Sequence, residues 1–173
     1  MYTNEFMIPE GSLVQLANYD PGFTASFHSK EEAEIKLEED RKQLMKLQEL
    51  LYAHNRYGVL LIFQAMDAAG KDSTIRHVMK GINPQGCQVH SFKVPSTEEL
   101  DHDYMWRYAK ALPERGNIGI FNRSYYEEVL VVRVHQELLI RQNLPDEVVT
   151  ESIWDQRYRQ IRNYEQYLYE NGF

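Results

Sequence analysis

The feature that most constrains this chain is Gly58-Val-Leu-Leu-Ile-Phe63, an unbroken apolar run that ends in a loop of small residues, Ala65-Met-Asp-Ala-Ala-Gly70-Lys71. Continuous rather than alternating apolarity marks a strand buried on both faces, the habit of parallel sheets. Behind the loop, Ile75, Val78 and Met79 mark a helix expected to stop at Gly81. A second strand is expected over residues 88–94. Leu100, Tyr104, Tyr108 and Leu112 give a helix ended by Pro113, and Ile118-Gly-Ile-Phe121 gives a third short strand. The order strand, loop, helix, strand, helix, strand predicts an α/β fold with a parallel sheet flanked by helices.

The flanks are helical or irregular. Residues 1–28 hold the turn signals Pro9-Glu10-Gly11 and Asp20-Pro21-Gly22 without a sustained period, so they read as an N-terminal arm preceding a domain over 29–173. Ser29 with Glu32 reads as a capping box for a helix that carries Ala33, Leu37, Leu44, Leu47 and Leu51 on one face. Residues 129–134 suit a strand by periodicity alone. A helix continuing from Ser124 is preferred, because Glu127 and Glu128 sit one turn in, where acidic residues suit the helix dipole. A last helix is expected from Pro145 to about Glu170, with Gly172 as terminator. Only three strands are visible, and the chain reaches Gly172-Phe173 where another is due, so the domain is expected to be truncated at its C-terminus.

Composition sets outer limits. The single cysteine, Cys87, excludes an internal disulfide and suits a reducing compartment. No run approaches the length of a membrane helix, and residues 1–12 lack the basic and apolar regions of a signal peptide, so a cytoplasmic protein with no membrane partner is expected. The net charge of −7 disfavours nucleic acid as a partner. That charge is uneven: residues 51–135 carry 10 Lys/Arg against 9 Asp/Glu, and the acidic excess lies on either side. The middle of the chain is therefore the least hostile place for an anion.

The loop after the first strand stands where a P-loop would, with backbone N–H groups and a helix N-terminus available to phosphate oxygens. Ala68, Ala69, Gly70, Lys71, Asp72 and Ser73 are the candidate phosphate-binding residues. Gly70 permits close approach and Lys71 supplies a mobile charge. The match to G-x-x-x-x-G-K-[ST] is incomplete, since Ala65 replaces the first glycine and Asp72 the Ser/Thr that normally helps hold Mg²⁺. A metal then needs another ligand, and Asp67 is the candidate. The segment alone also suits a plain turn with solvent-exposed Asp and Lys. At the end of the third strand, Arg123 is placed to neutralise phosphoryl oxygens, or else to pair with Glu127 four residues on. Arg133, interrupting an apolar run, is open between snorkelling, pairing with an acid and meeting a ligand. Six scattered histidines and no paired cysteines give no zinc site.

Taken together, Phe63-Gln-Ala-Met-Asp67-Ala-Ala-Gly-Lys71-Asp72, Asn83-Pro-Gln-Gly86, Ser91-Phe-Lys93-Val-Pro95, Trp106-Arg107, Gly119-Ile-Phe-Asn122-Arg123-Ser124-Tyr-Tyr-Glu127 and Val129-Leu-Val-Val-Arg133-Val-His135 resemble the polyphosphate kinase 2 family over about residues 30–173. The resemblance implies a P-loop kinase fold akin to thymidylate kinase, with Mg²⁺ as cofactor and phosphoryl transfer between inorganic polyphosphate and AMP or ADP. It implies catalytic roles for Asp67, Lys71 and Arg123, and nucleotide binding by Asn122, Glu127 and Arg133. Asn122 and Glu127 resemble the subgroup acting on both nucleoside mono- and diphosphates. The resemblance also implies a homo-oligomer and a further C-terminal strand and basic lid. Two rival readings stay open: an ATP-dependent nucleoside monophosphate kinase, and an inactive fragment that only binds nucleotide or polyanion.

Overall fold

The computed structural model describes residues 5–173, so the first four residues of the expected arm lie outside the described residues. The chain divides into two compact units, one ending at Asp40 and the other comprising Arg41–Phe173. In the first, turns form where Pro and Gly punctuate the sequence. Ser12 N–H donates to the Pro9 carbonyl at 3.2 Å, and Gly22 N–H donates to Asp20 Oδ1 at 2.8 Å. Helix α1 (Lys30–His54) opens on Ser29, whose Oγ accepts from Glu32 N–H at 3.1 Å. Glu32 Oε2 reaches back to His28 N–H, also at 3.1 Å, one residue beyond the partner a capping box would use.

The second unit is built on three parallel strands, β1 (Val59–Phe63), β2 (Cys87–Ser91) and β3 (Ile118–Asn122), in the order β1-β3-β2. Helix α2 (Lys71–Val78) follows β1, and the short helices α3 (Thr97–Leu100) and α4 (Trp106–Lys110) join β2 to β3. The expected double burial belongs to β3, all five residues of which are buried, whereas β1 is only half-buried. The cause is position: β3 has a hydrogen-bonded neighbour on each side, and β1 takes its ladder from β3. Strand alternation then divides the core. Ile118 and Ile120 pack with Ile75 of α2 beneath Leu51, Val59 and Met79. Phe121, on the other face, packs with Tyr108, Tyr125, Val129 and Ile161.

Several expected boundaries move, each for a local reason. Among the residues of α1 in this unit, the buried one is Gln48, while Leu47 of the expected leucine face is 61% exposed. Gln48 lies against Gly86, where an added Cβ would stand 2.0 Å from its Nε2, so the glycine makes room for the long amide. Strand β2 ends at Ser91 rather than residue 94. The expected helix through Leu100 and Leu112 is two short pieces, because Asp103 Oδ1 accepts from Met105 N–H at 2.9 Å and starts the chain afresh. Residues beyond Ser124 are helical rather than extended, but Glu128–Val132 is wound as a π-helix. The last helix, α5 (Ile153–Glu170), begins eight residues later than expected. Pro145 opens only a 3₁₀ turn, Asp146–Val148, and the hydroxyls of Thr150 and Ser152 bond to each other at 2.9 Å in the β-branched stretch before the helix starts. Gly172 does terminate α5, at φ +82°, with Phe173 N–H returning to the Leu168 carbonyl at 3.0 Å.

Ile120 has no exposed surface and sits on the middle strand. Ile120→Ala is expected to lower the unfolding free energy by about 3–4 kcal/mol and Ile120→Val by about 1 kcal/mol, read from urea denaturation midpoints at constant slope. Equal, small losses for both would mean that β3 is not the packed centre.

Candidate phosphate cleft

The register of the sheet builds the site before any side chain is considered. Phe63 and Ser91 both stand opposite Asn122, so all three strands end level and the loops that follow them open on one edge. Carboxyl ends of parallel strands are where open α/β sheets receive ligands. Arg123 N–H still donates to the Phe63 carbonyl at 3.0 Å, and Phe92 N–H to the Asn122 carbonyl at 3.0 Å, so pairing fixes each loop at its first residue.

After β1 the chain turns tightly, with Ala69 N–H on the Met66 carbonyl at 3.3 Å. Two residues take the left-handed region, Ala68 at φ +61° and Gly70 at φ +91°, and Gly70 caps α2. Small side chains here keep the loop's surface open to a ligand. Lys71 Nζ donates to the carbonyls of Ala65 and Met66 at 2.7 and 2.9 Å, arching back over the loop it belongs to. Ser73 Oγ donates to the Gly70 carbonyl at 2.8 Å, which occupies its proton at the helix start.

The end of β3 supplies the opposite wall. Asn122 Nδ2 donates to Asp72 Oδ1 at 2.5 Å, tying the strand end to the first turn of α2. An amide suits this place, since a carboxylate at 122 would face the Asp72 carboxylate. Arg123, at φ +67°, pairs through Nη2 with Asp67 and through Nη1 with Glu127 Oε2 at 3.4 Å. The expected pairing with Glu127 is thus present together with the placement beside the loop. Gln64 continues the chain: its Nε2 donates to Glu127 Oε1, and its Oε1 accepts from the buried Ser124 hydroxyl at 3.1 Å. Below, the hydroxyls of Tyr125 and Tyr126 both donate to Glu165 Oε1, at 2.9 and 2.7 Å, and burial pushes both phenols up so that they stay protonated.

These parts enclose a cleft of about 550 Å³ lined by residues 67–73, Ser91, Lys93, Asn122 and Arg123, with Arg76 at its side. The lining holds four cationic side chains, Lys71, Arg76, Lys93 and Arg123, against two carboxylates, Asp67 and Asp72. All six loop residues proposed for phosphate are brought here, together with Asp67, Asn122 and Arg123. Arg133 is not. Its guanidinium donates to the Tyr158 hydroxyl on α5 at 2.6 Å and lies over that ring. Sequence reasoning gave no role to Gln64, Arg76 or Lys93. The signal for Gln64 was its place directly after β1, and for Lys93 its place two residues after β2.

A second cavity, about 230 Å³, adjoins the first and shares Phe92, Lys93 and Arg123 with it. Its wall is mainly apolar and aromatic, with Leu100, Tyr104, Tyr108, Val131 and Leu138, and Glu127 stands at its polar side. Burial raises the Tyr104 phenol to about 12, against the opposing pull of Arg157, so Tyr104 is neutral near pH 7. Among the described residues, no three His, Cys, Asp or Glu side chains are grouped to hold a metal unaided. A Mg²⁺ ion needs only one or two carboxylates, with water and substrate phosphates completing its shell. Asp67, 84% exposed at the side chain, and Asp72 are the carboxylates that fit. Among the described residues no helix is long and apolar enough to cross a membrane.

Calorimetric titration with tripolyphosphate tests the cleft. Lys71→Ala and Arg123→Ala are each expected to weaken binding by about tenfold or more with the circular dichroism spectrum unchanged. Unaltered affinity in both variants would place the anion elsewhere.

Residues 27–173 match the model of a family described as Polyphosphate kinase 2 (PPK2). An ADP-polyphosphate phosphotransferase of Rhodopseudomonas palustris is 55% identical over 171 residues, covering 98% of this chain and 59% of that protein. An AMP/ADP-polyphosphate phosphotransferase of Meiothermus ruber is 45% identical over 165 residues, covering 95% of this chain and 57% of the relative. The crystal structure of Polyphosphate Kinase 2 from Arthrobacter aurescens superposes with a TM-score of 0.80 at 35% identity, over 95% of this chain and 56% of that one. The chain thus spans a little under three fifths of the length of these relatives.

Proposed function

The chain belongs to the polyphosphate kinase 2 family, and from that premise we propose that it carries the phosphate-handling site of an enzyme moving a phosphoryl group between inorganic polyphosphate and AMP or ADP. The observation that supports this best is the cleft itself, in which Lys71, Arg76, Lys93 and Arg123 converge on the loop at the sheet's carboxyl edge. Phosphoryl transfer asks a protein mainly for alignment and charge neutralisation. Lys71 would exchange its two loop carbonyls for phosphate oxygens, and the loop N–H groups would orient the chain of phosphates. Arg123 would leave Asp67 for the transferring group, where its fork can make paired hydrogen bonds. Asp67 would then be free to hold Mg²⁺ together with Asp72, which Asn122 keeps in place through one oxygen; the metal supplies further neutralisation of phosphate charge when bound.

The adjoining apolar cavity has the character expected for the nucleoside. Arg123 lines both spaces, Glu127 lines the apolar one and reaches Arg123, and Asn122 fixes Asp72 at the phosphate cleft. This assignment uses Glu127 and Asn122 and leaves Arg133 on Tyr158.

The deciding assay is phosphotransfer with AMP or ADP and either polyphosphate or ATP as donor. Polyphosphate is expected to serve, and Asp67→Ala and Lys71→Ala are expected to cut turnover at least about 100-fold without unfolding the protein. Wild-type turnover by either variant would contradict the assignment, and an absolute requirement for ATP would favour an ATP-dependent nucleoside monophosphate kinase.

A further inference from the structure

The wall of the apolar cavity is braced by a charged cluster that the phosphate chemistry does not use. The Glu128 and Arg157 side chains are 6% and 9% exposed, and Arg157 Nε lies 3.2 Å from Glu128 Oε1. Gln142 Nε2 donates to both oxygens of Glu128, at 3.0 and 2.9 Å, and Gln142 Oε1 accepts from Arg157 Nη2 at 3.2 Å. Arg157 Nη1 donates to Gln160 Oε1 at 3.2 Å, and the Tyr104 hydroxyl donates to the same oxygen at 3.1 Å. The guanidinium carbon of Arg157 lies 4.1 Å from the centre of the Tyr104 ring.

These contacts join four separate stretches: the turn before α4, the π-wound segment Glu128–Val132, the 3₁₀ segment Gln136–Gln142 and α5. Three of the residues, Tyr104, Glu128 and Gln142, line the cavity. Both ends of the Gln142 amide are engaged within the cluster, which is how a wall containing a carboxylate and an amide remains mainly apolar. Glu128 is also next in sequence to Glu127, which reaches Arg123 and Gln64 at the phosphate cleft. Both carboxylates line the apolar cavity, Glu127 reaching toward Arg123 and Glu128 toward Arg157, and a π-wound turn in a helical segment is often found at a functional site. A buried ion pair seldom stabilises a fold more than apolar side chains of equal volume, so fixing one arrangement of the wall is a better account of its presence. Burial pushes the Glu128 carboxyl up, against the downward pull of Gln142 and Arg157.

We propose that Glu128, Arg157 and Gln142 are positioning residues that set the shape of the nucleoside cavity, and so determine nucleotide affinity without governing phosphate binding or the transfer step. The proposal rests on the reading above that this cavity receives the nucleoside. It is tested by calorimetry with ADP and, separately, tripolyphosphate on the wild type, Glu128→Gln and Gln142→Ala. Steady-state phosphotransfer is measured on the same proteins. ADP binding is expected to weaken about tenfold or more in each variant, with tripolyphosphate affinity held within about twofold. In turnover, KM for the nucleotide rises and kcat is unchanged, a split that general loss of structure would not produce. Gln142→Ala keeps the ion pair and so decides the matter should Glu128→Gln fail to fold. Unchanged ADP affinity, or ADP and tripolyphosphate affinities falling together, overturns the proposal. A wild-type protein that binds tripolyphosphate but not ADP overturns the reading of the cavity itself, and is told apart because it shows before any substitution.

Discussion

The parallel register of β3 between β1 and β2 is the constraint on which the site depends. Because Phe63, Ser91 and Asn122 stand level, three loops far apart in sequence leave the sheet at one height. The backbone bonds from Arg123 to Phe63 and from Phe92 to Asn122 continue the ladder into those loops, so the first functional residues inherit the sheet's rigidity. A shift of one residue in β3 would turn Ile120 and Phe121 to the wrong faces and carry Asn122 away from Asp72. The register is held by those two buried side chains, which links the packing of the core to the geometry of the cleft.

Charge within the cleft is arranged to be exchanged. Lys71 rests on two carbonyls of its own loop, and Arg123 rests on Asp67 and Glu127. A charged phosphate oxygen outcompetes the neutral carbonyls under Lys71, and it can match the charge-assisted bonds that the two carboxylates give Arg123. The pairing also keeps Asp67 from repelling an incoming anion. Such ion pairs at a partly exposed site are worth little to the stability of the fold. Their value lies in holding the side chains close to the positions a phosphate chain would require.

How much of this was legible in the sequence depended on whether the cause was local. The apolar run into a small-residue loop announced a buried strand and a phosphate-type turn, and 67–73, Asn122 and Arg123 do meet at the sheet edge. The family and fold were legible from the motifs, and the parallel α/β architecture from the alternation of elements. Strand order was not, because it follows from tertiary pairing: the most continuous apolar run became β1, and the glycine-containing Ile118–Asn122 became the fully buried strand. The leucine face of α1 holds at Leu44 and Leu51, which are half-buried, and misses only at Leu47; Gln48 was not legible because its burial depends on Gly86, 38 positions away. Arg133, left open between snorkelling, pairing and a ligand, lies on the Tyr158 ring, a partner that local spacing does not reveal. Gln64 sits inside one of the motifs without a role of its own, Glu128 and Arg157 lie in none, and only the fold shows what they join.

The central claim, that level strand ends create one anion site from three loops, is tested most directly by amide chemical-shift mapping with tripolyphosphate. The account predicts that the largest shifts fall together on residues 68–73, Lys93 and Arg123, saturating with a single affinity. Shifts spread over the basic surface, or confined to the loop after β1 with Lys93 and Arg123 unmoved, would contradict it.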